Sequence, residues 1–565
     1  MTQTSPGAER QVPPWAAGAT ERMHELDPEL SDAEIEILRA YGEERRYTKG
    51  QTLWQAGDRG PFILVLAGGL EVYNRTDDGD QVIIAHGPRH YVGEIVTMSG
   101  SRALVSGRAT EDLLALVVEP DALRRLIATE ADLGEKLLHS FILRRMRMVA
   151  ERLADVLLVG DVRSAATTRL ESFLSRNGIP FEVVDAAAGG PRLDQVLKTY
   201  ALTRTDLPAV ICNRTPLSRP SNRELAEGLG FTVDIDCGVT YDVAVVGSGP
   251  AGITSAVYAA SEGLKVVVLE HCAPGGQAAS SSKIENYMGF PTGISGQALM
   301  GRAYLQAQKF GAHIAVAREL KSFECGADWH KLRIDGNDLI YARSVVLASG
   351  AVYRRPPIQG LDDIGGVHYG ASHVEGQLCQ GTDVAVVGGG NSAGQAAMFL
   401  SKHATHVHIL IRGKDLSHSM SSYLIERIER TPNITLHPNT EICGLVGEDH
   451  LEGVDVRDNR SEAKRRLDVS HLFIFIGAQP GTGFLDGQIA LDNNGFVLTG
   501  DALDADTLAA HDWNAERRPY LLETSCPRVF AAGDVRSGSI KRVASAVGEG
   551  SVCIQFIHRV LAEDG

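Results

Sequence analysis

Two segments of the chain place an apolar strand, a glycine-rich turn and a small-residue helix in the order of a dinucleotide-binding βαβ unit. The turns read Gly247-Ser248-Gly249-Pro250-Ala251-Gly252 and Gly388-Gly389-Gly390-Asn391-Ser392-Ala393. An apolar strand precedes each turn, at 243–246 and at 384–387. A glycine pattern alone is a weak signal, but this context makes it strong. We therefore expect two doubly wound α/β domains, each built around one of the turns.

Each glycine of the first turn has its own task. Gly247 allows the tight turn, Gly249 lets the backbone approach a pyrophosphate, and Gly252 lets the helix pack on the strand. The helix N-terminus offers its free N–H groups and the positive end of its dipole to the phosphates. The next strand ends at Glu270, which is placed to accept hydrogen bonds from ribose hydroxyls. Two such sites in one polypeptide are typical of a flavin at the first and a nicotinamide at the second.

The second turn repeats this pattern but differs after its second strand. Its predicted nicotinamide-binding residues are Gly388, Gly390, Asn391, Ser392 and Ala393. The strand at 407–411 ends at Arg412 rather than at a carboxylate, and Lys414 follows it. An acid here would hold the ribose 2′-hydroxyl of NAD, whereas Arg412 with Lys414 neutralises a 2′-phosphate. The pattern favours NADPH over NADH, and the alternative is a solvated strand-end arginine.

Composition limits the class of protein. The 565 residues suffice for three or four domains. A formal charge of −16 argues against a nucleic-acid surface, and we interpret the one basic cluster, at 144–147, as a solvated or interface face of a helix.

Cysteine usage and hydropathy indicate the compartment. Eight scattered cysteines show no metal-ligand spacing and are too few for a disulfide scaffold, so we interpret them as reduced thiols of a cytoplasmic protein without a metal. Residues 1–24 are a predicted disordered tail without a secretory signal. The apolar stretches have strand length, so no membrane segment is expected.

From Asp242 to the C-terminus, further motifs resemble the low-molecular-weight thioredoxin reductases. Gly275-Gly276-Gln277 and Ile284-Glu285-Asn286-Tyr287 look like the flavin-contacting loop of that family. Ala348-Ser349-Gly350-Ala351 and Ile476-Gly477-Ala478-Gln479-Pro480 look like the two crossovers between its domains. Ala531-Ala532-Gly533-Asp534-Val535 looks like the late flavin motif, and Arg542-Val543-Ala544 follows it.

The resemblance implies roles for these residues and an architecture. Gln277 and Asn286 would reach the ribityl chain and the isoalloxazine, Asp534 would bond a ribityl hydroxyl next to Gly533, and Val543 and Ala544 would cap the pyrimidine edge of the FAD. It also implies a homodimer, and a flavin domain in two pieces, 239–359 and 483–565, with the nicotinamide domain at 360–482 between them. In that family the inserted domain rotates, so that nicotinamide and a redox dithiol take turns at the flavin.

The sequence departs from the family at the dithiol. The Cys-x-x-Cys position falls on Ala371-Ser372-His373-Val374, and no Cys-x-x-Cys occurs in the chain. Electrons pass to a disulfide only through a sulfur that can be attacked. We interpret Cys379 as lying next to a strand rather than over the flavin, and His373 as a solvated or locally bonded turn residue. The alternative for His373 is an acid or base near the flavin. No catalytic residue is therefore assigned.

The middle segment, 155–238, resembles the thioredoxin–glutaredoxin fold. It reads as strand 156–159, helix 167–177, strand 180–184, strand 209–211 and helix 222–229, with Leu207-Pro208 as a candidate cis peptide. The active-site cysteines of that fold would fall on Ser164 and Thr167, so this domain also lacks its dithiol. The alternative is an unrelated small α/β domain.

The N-terminal segment, 25–154, alternates short apolar strands with glycine turns, which predicts a β-roll or barrel. It resembles cyclic-nucleotide-binding domains, with Gly93 and Glu94 at the start of the phosphate cassette and Arg102 and Ala103 at its end. The resemblance implies that Glu94 bonds the ribose 2′-hydroxyl and that Arg102 holds the cyclic phosphate of cAMP or cGMP. A ligand-free roll is the alternative. An apolar helical pattern at 137–158 predicts a hinge or dimer helix.

Three functional hypotheses follow. The first is an FAD- and NAD(P)H-dependent oxidoreductase of thioredoxin-reductase type, controlled by a cyclic nucleotide, whose small-molecule or protein acceptor is not the usual dithiol. The second is a non-enzymatic flavin and cyclic-nucleotide sensor or scaffold. The third is a thioredoxin-disulfide reductase that uses an unrecognised cysteine pair.

Overall fold

The computed structural model describes residues 26–563 apart from 59, 77–78, 94–101, 104, 151–155, 213, 232–234, 282, 362–363 and 372. The chain divides into two compact units. One holds the residues up to 157 with two short pieces, 178–182 and 211–215, and the other holds 158–177, 183–210 and 216–565. Among the described helices, none is both long and apolar enough to cross a membrane.

The N-terminal segment is a β-roll flanked by helices. Its helices are α1 Asp32–Arg39, α2 Pro120–Thr129 and α3 Ala131–Ala150; its strands are β1 Glu43–Tyr47, β2 Thr52–Trp54, β3 Phe62–Ala67, β4 Leu70–Thr76, β5 Gly79–His86, β6 Tyr91–Val92, β7 Ser106–Ala109 and β8 Leu113–Val118. They form two antiparallel sheets, β1-β8-β3-β6 and β2-β7-β4-β5. Side chains alternate along β3: Ile63 and Val65 pack in a core shared by the sheets, whereas Phe62 and Leu64 pack with the helices.

The middle segment forms a four-stranded sheet in the order β10-β9-β11-β12. Its elements are β9 Val156–Gly160, α4 Ala165–Arg176, β10 Glu182–Asp185, α5 Pro191–Thr199, β11 Ala209–Cys212, β12 Thr215–Ser218 and α6 Asn222–Leu229. The Leu207–Pro208 bond is cis, as predicted. Strand β12 and helix α5 were not predicted, because both are short and polar. The thioredoxin-like assignment stays a prediction.

The third part is a seven-stranded sheet in the order β15-β14-β13-β18-β17-β16, with β29 beside β18. Strands β13, β14, β15, β18 and β29 are parallel, and the order 3-2-1-4 of the first four is that of a dinucleotide-binding fold. The elements are β13 Thr240–Val246, α7 Pro250–Ser261, β14 Val266–Glu270, α8 Gly276–Ala279, α9 Gly296–Lys309, β15 His313–Val316, β16 Leu320–Glu324, β17 His330–Ile334 and β18 Leu339–Leu347, followed near the C-terminus by β29 Val529–Ala531 and the last helix, Val543–Glu563.

The inserted part repeats this design with five parallel strands, β20-β27-β21-β22-β23. Its elements, with the crossover strands, are β19 Ala351–Tyr353, β20 Val367–His368, α10 His373–Leu378, β21 Asp383–Val387, α11 Asn391–Leu400, β22 His406–Leu410, α12 Ser422–Glu429, β23 Ile434–His437, β24 Thr440–Val446, β25 Gly453–Asp458, β26 Lys464–Leu467, β27 His471–Ile474 and β28 Ala478–Pro480; α13 Ala505–Ala510 and α14 Val543–Glu563 complete the helices. The crossover strands β19 and β28 pair with each other. Both glycine turns stand at the carboxyl end of the central strand of their sheet.

Two expectations about the N-terminal helix are wrong. The described helix α3 ends at Ala150, and Val156 to Leu158 belong to β9, because their β-branched and apolar side chains enter the middle sheet. Arg144 is 8% exposed and not a solvated surface residue. Its guanidinium donates to the carbonyls of Leu26 (2.7 Å) and Tyr91 (2.8 Å) and to Asp27 Oδ1 (2.7 Å).

Asp27 contacts one arginine and two histidines. The Nδ1 atoms of His86 and His90 lie 3.2 and 3.1 Å from its Oδ2, opposite the Arg144 contact. Burial alone raises the pKa of Asp27, but His86, then Arg144 and His90, outweigh it and lower the pKa from 3.8 to about 2. A depressed carboxyl pKa stabilises the fold above about pH 4, and this contribution is lost as the pH falls through 2.

We expect Asp27→Asn to destabilise the β-roll by about 2 kcal/mol at pH 7, because a shift of nearly two pKa units corresponds to that free energy. The difference from the unmodified protein should shrink between about pH 4 and pH 2. Hydrogen exchange of β3 and β6 measures it. Asp32→Asn, at an exposed carboxylate paired with Arg89, is the control, and equal effects of both variants at pH 7 would contradict the assignment.

Candidate active site

The first glycine turn has no room for side chains. Gly247 has φ +99°, and a Cβ there would overlap the carbonyl oxygen of Ala348. A Cβ at Gly252 would overlap the carbonyl oxygen of Gly247. At Gly249, the residue before α7, a Cβ would meet no protein atom closer than 4.0 Å. The turn is therefore tight on the protein side and open where the helix N–H groups point, which fits a bound pyrophosphate.

Glu270 holds this turn to the next strand. The carboxylate is 4% exposed, and its Oε2 accepts from Ser248 N–H (3.0 Å) and from Ser248 Oγ (2.7 Å). Its Oε1 accepts from the N–H groups of Cys272 (2.9 Å) and Ala273 (3.2 Å). The sequence predicted a ribose acceptor at Glu270; the structure adds that the same carboxylate fixes the turn. Ser248 was missed because it occupies a variable position of the glycine pattern.

The loop after Glu270 brings Gly276 against the turn. Gly276 has φ +55°, and a Cβ there would lie 3.0 Å from the Gly249 Cα. The amide of Gln277 donates to the Ala351 carbonyl, so the predicted flavin loop is tied to the first crossover. Asn286 is exposed in an irregular segment and makes none of the described hydrogen bonds.

The late motif closes the same edge of the sheet. Gly533 has φ +78°, a Cβ there would lie 3.0 Å from the Ala251 Cβ, and its N–H donates to Glu549 Oε2 (2.7 Å). Burial raises the pKa of Asp534, an effect that Lys541 opposes and Glu549 strengthens. Val543 and Ala544 begin helix α14, where N–H groups have no partner within the helix. These features agree with the predicted roles without testing them.

The second turn is built like the first. Gly388 has φ +137°, and a Cβ there would overlap the Phe475 carbonyl oxygen, whereas the nearest atom to a Cβ at Gly390 is 4.0 Å away. Helix α11 begins at Asn391, whose Oδ1 accepts from Ser421 N–H (2.8 Å) and Oγ (3.0 Å). Ser392 is exposed, and Ala393 is buried against the sheet.

Two cations flank this second turn. Arg412 and Lys414 are exposed, and Lys414 Nζ lies 3.7 Å from Asp415 Oδ2. Among the ion pairs of the described residues, none involves the Arg412 guanidinium. The side chain is thus available to an anionic group.

No sulfur replaces the family's dithiol at 371–374. His373 lies in the first turn of helix α10 and not in the predicted turn, and its side chain, like that of Val374, lies outside the described residues. Cys379 is fully buried in the core around β21, and burial strongly raises the pKa of its thiol. As predicted, it packs next to a strand.

The expectation that all eight cysteines are reduced thiols is wrong for two of them. Cys325 and Cys526, 201 residues apart, form a disulfide, and the other six are free. No local spacing signal marks a pair so far apart in sequence.

Sequence reasoning also missed residues of the middle segment that touch the flavin loop. The Arg176 guanidinium donates to the Gly276 carbonyl (3.4 Å), and the Asn177 amide donates to the Cys272 carbonyl (3.2 Å). At the expected cysteine positions, Ser164 caps helix α4: its Oγ accepts from Thr167 N–H (3.2 Å) and lies 2.8 Å from Thr167 Oγ1. These hydroxyls stabilise a helix end.

The predicted cyclic-nucleotide cassette is described in part. Gly93 has φ +104°, and a Cβ there would overlap the Pro61 carbonyl oxygen. Arg102 donates to the Gly57 carbonyl (2.9 Å), and Ala103 exchanges backbone hydrogen bonds with the turn at Gly57 and Asp58. Glu94 lies outside the described residues.

Comparison with known proteins decides the family. The model for "Pyridine nucleotide-disulphide oxidoreductase" matches residues 241–550. The chain belongs to this family. The model for "Cyclic nucleotide-binding domain" matches residues 44–130.

Relatives and a solved structure refine the family assignment. Thioredoxin reductase of Mycolicibacterium smegmatis is 32% identical over 57% of this chain and 97% of its own length. NADPH-dependent thioredoxin reductase 3 of Arabidopsis thaliana is 31% identical over 57% of this chain, but the chain spans only 59% of that relative. The crystal structure of Lactococcus lactis thioredoxin reductase covers 57% of this chain and 100% of its own, with 27% identity and a TM-score of 0.51. This oxidoreductase is thus a thioredoxin-reductase-like flavoprotein joined to a cyclic-nucleotide-binding domain.

We expect Gly252→Ala to remove the flavin from this oxidoreductase, because the added Cβ would push helix α7 off its turn, at about 1–3 kcal/mol. The ratio of flavin to protein absorbance after purification measures the loss. Gly301→Ala is the control, since a Cβ there meets nothing within 4 Å in helix α9 and should stabilise the helix by about 0.5–1 kcal/mol. Full flavin content in Gly252→Ala would contradict the role of the turn.

Proposed function

We propose that the chain is an FAD-dependent NADPH oxidoreductase whose electron acceptor is not a Cys-x-x-Cys dithiol at the flavin, and whose activity responds to cyclic AMP or cyclic GMP. A homodimer, a cytoplasmic location and a small-molecule or protein acceptor belong to the same proposal. It rests on one contrast: both glycine turns are tightly packed on the protein side and leave free space before a helix, whereas the segment 371–374 has no sulfur.

Separate sets of residues bind the two cofactors. A bound flavin accepts hydride from the nicotinamide and passes the electrons on. The turn at Gly247–Gly252 and the N-terminus of α7 bind the pyrophosphate, while Asp534 and the first N–H groups of α14 orient the rest of the FAD. The turn at Gly388–Ala393 binds NADPH, with Arg412 and Lys414 at its 2′-phosphate.

Three of the six free thiols support a changed acceptor. Cys379 and Cys553 are fully buried, and burial raises the pKa of each well above its usual range. Cys272 follows Glu270, but burial, with the charge of Glu270, also raises its pKa against the opposing effect of Arg176. A thiol with a raised pKa is a poor nucleophile at neutral pH.

The first test is anaerobic mixing of the purified yellow protein with NADPH while the flavin absorbance is followed. We expect the flavin to bleach, and the rate to change on addition of cyclic AMP or cyclic GMP. Absence of bleaching under every condition would favour a sensor or scaffold. If the bleaching rate is the same with and without both cyclic nucleotides, the proposed regulation is wrong. Reduction of added thioredoxin, abolished by mutation of a native cysteine, would restore the disulfide-reductase hypothesis.

The regulatory part has its own control in the N-terminal domain. In Arg102→Ala the cyclic phosphate loses its expected cation, so NADPH should bleach the flavin at the basal rate and the nucleotide should have no effect. Arg45→Ala, at an exposed arginine of strand β1, should respond like the unmodified protein.

Cofactor preference gives a second test. Arg412→Ala should raise the KM for NADPH by about 5- to 160-fold, the worth of one charge-assisted contact of about 1–3 kcal/mol, and should leave the KM for NADH unchanged. Steady-state flavin reduction with either nucleotide measures this. Arg430→Ala, at an exposed arginine after helix α12, is the control. Equal changes for the two nucleotides would mean that Arg412 does not contact the 2′-phosphate.

A further inference from the structure

The Cys325–Cys526 disulfide joins the two sequence pieces of the predicted flavin domain. Cys325 lies in the turn between β16 and β17, and Cys526 lies in the turn that leads into β29. The Thr524 N–H donates to the Val529 carbonyl (2.8 Å), so Cys526 stands at the tip of a hairpin. Disulfides in reducing compartments are usually redox-sensing or catalytic rather than structural, which raises the question of what reaches this one.

The disulfide forms part of the wall of a cavity of 470 Å³. This volume lies within the range of small-ligand sites, about 300–1,000 Å³. Polar and charged side chains share the lining, among them Gln488, His511, Arg517 and Arg528. Cys325 is partly exposed, whereas Cys526 is 4% exposed. A reagent entering the cavity therefore meets the Cys325 sulfur first.

The groups behind the disulfide suit a thiolate leaving from Cys526. His330 is fully buried, and its Nδ1 lies 4.0 Å from Cys526 Sγ. Burial, and then the charge of Arg528, lower the pKa of His330 to about 3, so this imidazole is neutral at physiological pH. Arg528 itself is buried and cationic, and it bonds the Ala327 carbonyl in the same wall. The charge of Arg528 acts on His330, whose Nδ1 lies 4.0 Å from Cys526 Sγ, and a cation in this wall lowers the free energy of a thiolate there.

The Cys325–Cys526 pair does not replace the family's dithiol as the group that takes electrons from the flavin. The predicted flavin residues follow the carboxyl ends of β13, β18 and β29, whereas Cys526 precedes the amino end of β29. From Val529 to Gly533 the chain advances about 13 Å at roughly 3.3 Å per residue. The disulfide therefore lies toward the opposite edge of the sheet.

We propose that the Cys325–Cys526 disulfide and its cavity form a thiol-exchange site for a low-molecular-weight thiol. The thiolate attacks Cys325 Sγ, the sulfur–sulfur bond breaks, and Cys526 leaves as a thiolate that takes a proton from water. A second thiol molecule resolves the mixed disulfide, so the thiol pair loses two electrons and the protein gains two thiols.

Thiol counting tests this proposal on the full chain. Protein purified without reductant, then denatured and alkylated, should show six free thiols, the eight cysteines less the bonded pair. After the native protein is incubated with reduced glutathione, the count should rise to eight. A count of six after glutathione, with eight only when the protein is denatured before it is reduced, would make the disulfide structural and overturn the proposal. Eight thiols at the outset, or one zinc held by Cys325, His330 and Cys526, would also overturn it.

Single variants show which of the two sulfurs is attacked, and a second reductant distinguishes a small thiol from a protein thiol. In Cys526→Ser, oxidised glutathione should add one glutathione to Cys325; in Cys325→Ser, the buried Cys526 should stay unmodified. Cys443→Ser, at an exposed free thiol, is the matched control and should keep the rise of two thiols on reduction. Reduction by thioredoxin but not by glutathione would overturn the small-thiol site. The count does not depend on flavin reduction, so its failure and that of the proposed function are distinguishable.

Discussion

The first dinucleotide site depends on one buried carboxylate. Glu270 accepts four hydrogen bonds, two from Ser248 and one each from the N–H groups of Cys272 and Ala273. A buried anion is tolerated only when such donors compensate for lost water. These donors belong to the glycine turn and to the loop after β14. The carboxylate therefore holds the turn and the loop next to each other. The positions of Gly249, Gly276 and the N-terminus of α7 follow from it.

The two glycine turns show how a sheet prepares a phosphate site without a charged side chain. In each, the chain leaves a central parallel strand, reverses at a glycine with positive φ, and enters a helix whose N–H groups face open space. The protein side of the turn is filled by carbonyl oxygens, and the ligand side is not.

The cysteines divide by environment. Cys379 and Cys553 are held in cores where a thiolate is costly, whereas Cys325 is partly exposed at a polar cavity and Cys526 reaches it from the core of the seven-stranded sheet. Cys379 and Cys553 thus act as inert packing groups, whereas Cys325 and Cys526 form the disulfide proposed to exchange with thiols. The chain lacks both dithiols that its resemblances imply and carries a disulfide between Cys325 and Cys526.

The sequence by itself determined the local units: the βαβ turns, the β-roll and the cis Leu207–Pro208 bond. These follow from strand alternation, glycine conformation and proline chemistry along the chain. Only the tertiary structure decided that Arg144 is buried on Asp27, that Arg176 contacts the Gly276 loop, and that Cys325 pairs with Cys526. The physical reason is that such contacts join residues about 100 to 200 positions apart, and no periodicity or spacing along the chain encodes which distant side chains share a core.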